Sequence, residues 1–166
     1  LLLHAVLRPF TRETARPIIA DQDTAADPPQ TERSLHLALA AARTAEENRG
    51  EEIVVLDMRE ITPVFDYFVL VTGNSRRQLH AISEEIDRCL EEQLNDKRMG
   101  IEGYQESRWI LLDYGNVVIH IFDPEMREFY ALEDFWNQAE KVSLPWQAEE
   151  SAVNTEENNQ SEGTGE

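Results

Sequence analysis

The feature that most constrains this chain is a pair of apolar runs, 109–114 and 117–122, joined by Gly115-Asn116. Both runs are rich in β-branched and aromatic residues. A two-residue link of glycine and asparagine has the backbone freedom that a tight hairpin turn needs. That turn fixes the register: Asp113 faces Val118, Leu111 faces His120 and Trp109 faces Phe122, all six on one face of a sheet. Ile110, Leu112, Tyr114, Val117, Ile119 and Ile121 share the other face, which is almost wholly apolar and should be core.

Signals on either side alternate between helix and strand. A leucine- and alanine-rich helix should run from Ser34, as N-cap, to Asn48, with Gly50 as its stop. Residues 53–58 and 65–72 read as strands, separated by Pro63. Gly73-Asn74-Ser75 then turns into a long helix over 76–98. Its buried stripe is Leu79, Ile82, Ile86, Leu90 and Leu94, and Gly100 ends it. Asp123-Pro124 opens a helical segment to Tyr130, and 132–139 makes a last helix. The expected fold is α/β of the α+β kind, a mixed β-sheet with flanking helices. Residues 31–145 should form the domain, with residues 1–30 a disordered extension and 146–166 a disordered acidic tail.

The formal charge of −18 is spread through the middle of the chain as well as its tail. Such a surface repels phosphate backbones, so little direct nucleic-acid binding is expected and a basic protein partner suits it better. The single cysteine, Cys89, excludes an internal disulfide and a cysteine-rich metal site, and it lies on the apolar side of a helical pattern. The histidines lack the spacing of a metal site. No metal or cofactor is expected. No apolar run approaches the ~20 residues of a membrane-spanning helix. The opening LLLHAVL lacks the flanks of a secretory signal, so the expected location is cytoplasmic.

Trp109, Asp113 and His120 on one sheet face are the most suggestive constellation. The pattern leaves two readings open: a functional site, or an amphipathic face covered by a helix. Ser75 follows Gly73 at a strand-to-helix turn, but the second glycine of a nucleophile elbow is missing, and a helix cap explains it better. A Gly-x-Ser before a helix and a later strand carboxylate share the layout of nucleotidyltransferases. That chemistry needs metal ions held between paired carboxylates, and Asp113 has Leu111 and Gly115 two residues away on either side. No catalytic residue is therefore expected. Arg76 and Arg77 oppose the dipole at a helix start, as solvated residues or as a partner contact.

Two blocks of sequence carry a family resemblance. The first is Thr62-Pro-Val-Phe-Asp-Tyr-Phe-Val-Leu-Val-Thr-Gly-Asn-Ser-Arg-Arg-Gln-Leu-His-Ala-Ile82. The second comprises Glu102-Gly-Tyr, the hairpin from Trp109 to Phe122, and Arg127-Glu-Phe-Tyr-Ala-Leu-Glu-Asp-Phe-Trp136. Together they resemble the ribosomal silencing factor family, also called Iojap. The resemblance implies a nucleotidyltransferase-like topology without established enzymatic activity. It implies binding to the large ribosomal subunit through the large-subunit ribosomal protein numbered fourteen. Joining of the small subunit would thereby be blocked, translation repressed under nutrient limitation, and free members would form homodimers.

Carried over by residue, the resemblance points to Trp109, Asp113, Tyr114, His120, Arg77, Arg127, Tyr130 and Glu133 as partner-binding. Asp66, Tyr67 and Ser75 are structural or partner-binding. Asn116 stands where the family usually has an acid, and Thr62 where serine is common. An assembly factor for the large subunit using the same docking site is the alternative function. Trp109 is the expected anchor of the interface, one whose truncation should weaken binding and leave the fold intact.

Overall fold

The computed structural model describes residues 30–147. The expectations for the extension and for most of the acidic tail lie outside these residues. The elements are α1 (Gln30–Glu47), β1 (Glu51–Asp57), β2 (Tyr67–Thr72), α2 (Arg76–Arg88), a π-helical turn (Cys89–Gln93), β3 (Gly100–Glu102), β4 (Trp109–Asp113), β5 (Val117–Phe122), α3 (Pro124–Tyr130), α4 (Leu132–Phe135) and β6 (Glu140–Lys141). They build one mixed six-stranded sheet in the order β3-β4-β5-β2-β1-β6, the α+β arrangement that the sequence predicts.

β2 and β5 lie at the centre as the parallel pair, and every residue of both is buried. A strand buried on both faces must be apolar without alternation, which is how Tyr67 to Thr72 and Val117 to Phe122 read. All the other pairings are antiparallel. The hairpin register is the expected one, with Trp109 opposite Phe122, Leu111 opposite His120 and Asp113 opposite Val118.

One sheet face is covered by α1 and α2. Ala38, Ala41, Ala42 and Ala45 form a buried small-residue stripe on α1, and Leu79, Ile82 and Ile86 line α2. The six hairpin residues assigned to the core all belong to this layer. The layer extends past the sheet: Leu144 is buried in it, and Trp146 packs against it under the guanidinium of Arg43. The opposite face carries a second layer of Leu56, Met58, Phe68, Leu70, Trp109, Leu111, Val118 and Phe122, covered by α3, α4 and the turn that follows.

Several boundaries differ from the sequence expectation, each for a local reason. α1 starts at Gln30, so Ser34 is no cap: it is buried inside the helix, its hydroxyl donating back to the Gln30 carbonyl at 3.0 Å. Ser75 does cap α2, accepting from the Gln78 amide. α2 stops at Arg88 because the chain widens into the π-turn, which keeps Leu90 buried and leaves Cys89 only half-buried. Asn95 then takes a left-handed φ of 51° and ends the helical stretch. Arg33 holds that exit, donating to the Asp96 carboxylate at 3.0 Å. Gly100 therefore opens β3 instead of ending a helix. The last helix is also shorter than expected, ending at Phe135.

Gly50 joins α1 to β1 at close quarters. A Cβ there would stand 2.7 Å from Val71 Cγ1 and 2.9 Å from the Ala45 carbonyl oxygen. Gly50→Ala should therefore destabilise the fold by about 1–3 kcal/mol, read as a lower urea midpoint at unchanged slope.

Candidate partner-binding face

The second layer is built on an aromatic cluster that the hairpin brings together. Trp109 stacks on its cross-strand partner Phe122 at 4.8 Å between centroids and meets Tyr130 of α3 at a tilt of 49° and 4.7 Å. His120 meets the ring of Phe68 edge-on at 5.0 Å. The indole Nε1 of Trp109 donates to Nδ1 of His120 at 3.2 Å. Since tryptophan can only donate, Nδ1 is the acceptor and the neutral ring carries its proton on Nε2. That N–H has no partner among the described residues. Complete burial pushes the His120 pKa down to about 3, with the charge of Arg127 acting in the same direction.

Arg127 locks the cover onto the sheet. It is buried and forms two hydrogen bonds with Glu133, at 2.6 and 3.0 Å. It also reaches the Thr72 hydroxyl on β2 at 3.2 Å and the Glu52 carbonyl on β1 at 2.9 Å. The left-handed turn at Ala131 (φ 41°) swings α4 back so that Glu133 can meet it. Burial alone would raise the Glu133 carboxyl, but the hydrogen bond and charge of Arg127 outweigh it and hold the group below its ordinary value.

α3 and α4 carry paired aromatics. Tyr130 and Trp136 are half-buried in the layer, while their neighbours Phe129 and Phe135 are 74 % and 60 % exposed. Each exposed ring meets its anchored neighbour nearly edge-on, at 5.1 and 4.7 Å. The carry-over of family residues missed both phenylalanines. The signal was present: adjacent helical residues point in different directions, so Phe-Tyr and Phe-Trp pairs cannot both face a core.

The residues singled out from the sequence thus divide by what they can reach. Trp109, Tyr114, His120, Tyr67 and Arg127 are buried. Trp109 is only 1 % exposed, so the expectation that its truncation leaves the fold intact is corrected: alternation placed it on a face, and that face is covered. Tyr114 lies on the helix-covered face, its hydroxyl donating to Asp87 at 2.6 Å. Asp113, Asp66, Tyr130 and Glu133 are half-buried, and Arg77 and Ser75 exposed. Asp113 accepts the Gly115 amide at 2.7 Å and lines a groove of about 140 Å³ with Phe65, Phe68, Leu111 and Val118. Asn116 donates its side-chain amide to Asp66 at 3.1 Å, a bond that an acid at this position would replace with two facing carboxylates. Among the described residues, no three His, Cys, Asp or Glu side chains are grouped as a metal ion would require.

Trp109→Ala should cost about 3–5 kcal/mol of stability through the cavity it leaves. An unchanged denaturation midpoint would refute this placement. The second prediction concerns pH. His120 has a folded pKa far below its unfolded one, so the unfolded chain takes up the proton first as pH falls. Stability should drop from about pH 6.5 downward, by up to ~1.4 kcal/mol per unit from this group. His120→Phe should flatten that part of the profile in pH-dependent urea melts.

Three comparisons with known proteins agree. Residues 31–165 match the family model described as ribosomal silencing factor during starvation. The ribosomal silencing factor RsfS of Bacillus subtilis is 42 % identical over 105 residues, covering 63 % of this chain and 87 % of that protein. A more distant relative is the mouse protein named mitochondrial assembly of ribosomal large subunit protein 1, 33 % identical over 92 residues, covering 54 % of this chain and 40 % of that protein. A crystal structure of a Chromobacterium violaceum protein superposes with a TM-score of 0.60 at 29 % identity, covering 67 % of this chain and 91 % of that one. The chain belongs to the ribosomal silencing factor family.

Proposed function

We propose that this protein represses translation by binding the large ribosomal subunit, through its ribosomal protein numbered fourteen, and excluding the small subunit by bulk. The observation that carries this reading is the pair Phe129 and Phe135, two exposed rings set nearly edge-on against the half-buried Tyr130 and Trp136 in a chain of a ribosome-silencing family. Exposed aromatics held in fixed rotamers lose little entropy on binding and dominate interface energies. The formal charge of −18 steers the domain towards a basic partner and away from bare RNA. Repression needs only occupancy of the docking surface, so the reading includes no catalysis, metal or cofactor. It places the protein in the cytoplasm and includes a homodimer in the free state. No described helix is long and apolar enough to cross a membrane.

A second reading is assembly of the large subunit, favoured by the name of the mouse relative. Both readings use the same contact, and they separate in one experiment. Purified protein is mixed with matched ribosomal subunits and followed by sucrose-gradient sedimentation. Repression predicts co-sedimentation with the large subunit and fewer joined ribosomes. The Phe129→Ser, Phe135→Ser double variant should fold normally and bind at least roughly tenfold more weakly. Binding without loss of joining would favour assembly. Full binding by the double variant would remove the aromatic patch from the mechanism.

A further inference from the structure

Asp113 is a half-buried carboxylate without a cation. Its Oδ1 accepts the Gly115 amide at 2.7 Å, and it forms no ion pair among the described residues. Arg98, just before β3, is paired with Asp87 instead. A carboxylate drawn out of water normally has a counter-ion, because lost hydration disfavours a lone charge. The missing cation has to come from outside the described fold.

The sheet register explains the hollow beside it. Gly100, Asp113, Val118 and Phe68 stand side by side on four adjacent strands and share one face. From the edge inward that row offers a position with no side chain, a carboxylate and two apolar groups. In the next row Glu102 stands opposite Leu111. Glu102 is exposed and also forms no ion pair among the described residues. Phe65, half-buried in the loop before β2, meets Phe68 at 5.2 Å between centroids. Together these residues line the groove of about 140 Å³. A Cβ at Gly100 would meet only Asp113 Cβ, at 3.9 Å, so any larger side chain there would stand beside the carboxylate. Cavities of ~150 Å³ hold a guest the size of benzene. This groove therefore has room for one side chain, and none for a strand or a helix.

We propose that this groove receives one arginine side chain of a protein partner, with the guanidinium on Asp113 and the stem against Phe65, Leu111 and Val118. The walls select arginine over lysine. A guanidinium is planar and weakly hydrated, stacks on an aromatic ring and meets a carboxylate through a fork of N–H donors. A lysine ammonium is a compact, strongly hydrated charge that apolar walls accept less readily. Glu102 at the rim adds a second negative charge. A second copy of this chain is the weaker candidate, since two chains of formal charge −18 repel each other. The inference deepens the ribosome-binding reading, on which it rests for the identity of the partner. It uses no residue of the Phe129–Phe135 patch.

The test uses the full chain, isotope-labelled for amide NMR, and the end-blocked peptide Gly-Ser-Arg-Ser-Gly. The same peptide with lysine in place of arginine controls for charge, and the one with citrulline controls for shape. The arginine peptide should shift the amides of Gly100, Leu111, Asp113 and Val118 saturably, with a Kd on the order of millimolar, as a single side chain allows. The lysine peptide should bind at least roughly fivefold more weakly, and the citrulline peptide should leave the amides unmoved. Asp113→Asn keeps an oxygen for the Gly115 amide and removes the charge, while Gly100→Val fills the groove. Each should weaken binding of the arginine peptide at least roughly fivefold. Phe65→Leu should bring the arginine and lysine peptides to similar affinity. Circular dichroism melts check that the variants remain folded, and Gly100→Val carries the test if Asp113→Asn does not. The proposal is overturned if the arginine peptide leaves these amides unmoved, or if the lysine peptide binds the unaltered chain equally well, which would mean adhesion by charge alone. Unchanged affinity in Gly100→Val would also overturn it. Shifts of the same amides with protein concentration alone would overturn it too, by assigning the groove to a second copy. No ribosome is present, so failure here leaves the ribosome-binding reading to the sedimentation experiment.

Discussion

The rest of the structure depends on the burial of β2 and β5 on both faces. Twelve buried positions in two adjacent strands, ten of them apolar, leave no side that water can cover, so the chain must supply two lids. The first is straightforward. α1 spans 18 residues and α2 13, each with an apolar stripe wide enough to lie on the sheet, and alanines let α1 approach closely. The second lid has to be made from what remains after β5, and that is two helices of seven and four residues. Helices so short have no stability of their own. Their place is set by the aromatic packing of Tyr130, Leu132 and Trp136, and by Arg127, which ties α3, α4, β1 and β2 at one point. A buried charge with a full set of partners contributes little net stability but tolerates few alternative arrangements. The orientation of the lid, and with it the outward direction of Phe129 and Phe135, follows from that constraint.

How much of this was legible depends on the range of the signal. The hairpin could be read to the residue, because a Gly-Asn turn and a two-residue period determine register without reference to the rest of the chain. The cap at Ser75 and the proline start of α3 are equally local. β3 and β6, of three and two residues, have no periodicity to read, and the π-turn that frees residues 94–99 from the helix is invisible in a stripe that continues through Leu94. The burial of Trp109 was not legible for a different reason. Alternation divides residues between two faces and does not say whether a face is open. The cover over Trp109 comes from Tyr130, twenty-one residues later, placed there by an arginine whose partners lie on three other elements.

The same limit governs the site residues taken from the resemblance. Arg127 and Glu133 were both singled out as contacts, and the structure joins them to each other. Asp66, just before β2, and Asn116 of the hairpin turn are likewise joined. Arg127 is buried and Glu133 half-buried in the bonds that join them, while Phe129 and Phe135 of α3 and α4 are exposed on the frame that those bonds make.

The pairing of Trp109 with His120 shows what the frame costs. An indole N–H inside an apolar layer needs an acceptor, and a neutral imidazole supplies one at Nδ1. The arrangement then transfers the problem to His120 Nε2, an N–H that, like Trp136 Nε1 in the same layer, has no acceptor among the described residues. Phenylalanine at both positions would avoid these penalties in a purely structural core. What the polar pair adds is discrimination: a directed bond holds Trp109 in one rotamer, whereas an all-apolar cluster could repack. Trp109 in turn backs Tyr130, and Tyr130 backs Phe129. A chain of three contacts thus leads from a buried hydrogen bond out to an exposed ring, and each contact that narrows the rotamers of the next lowers the entropy that a docking partner would have to remove.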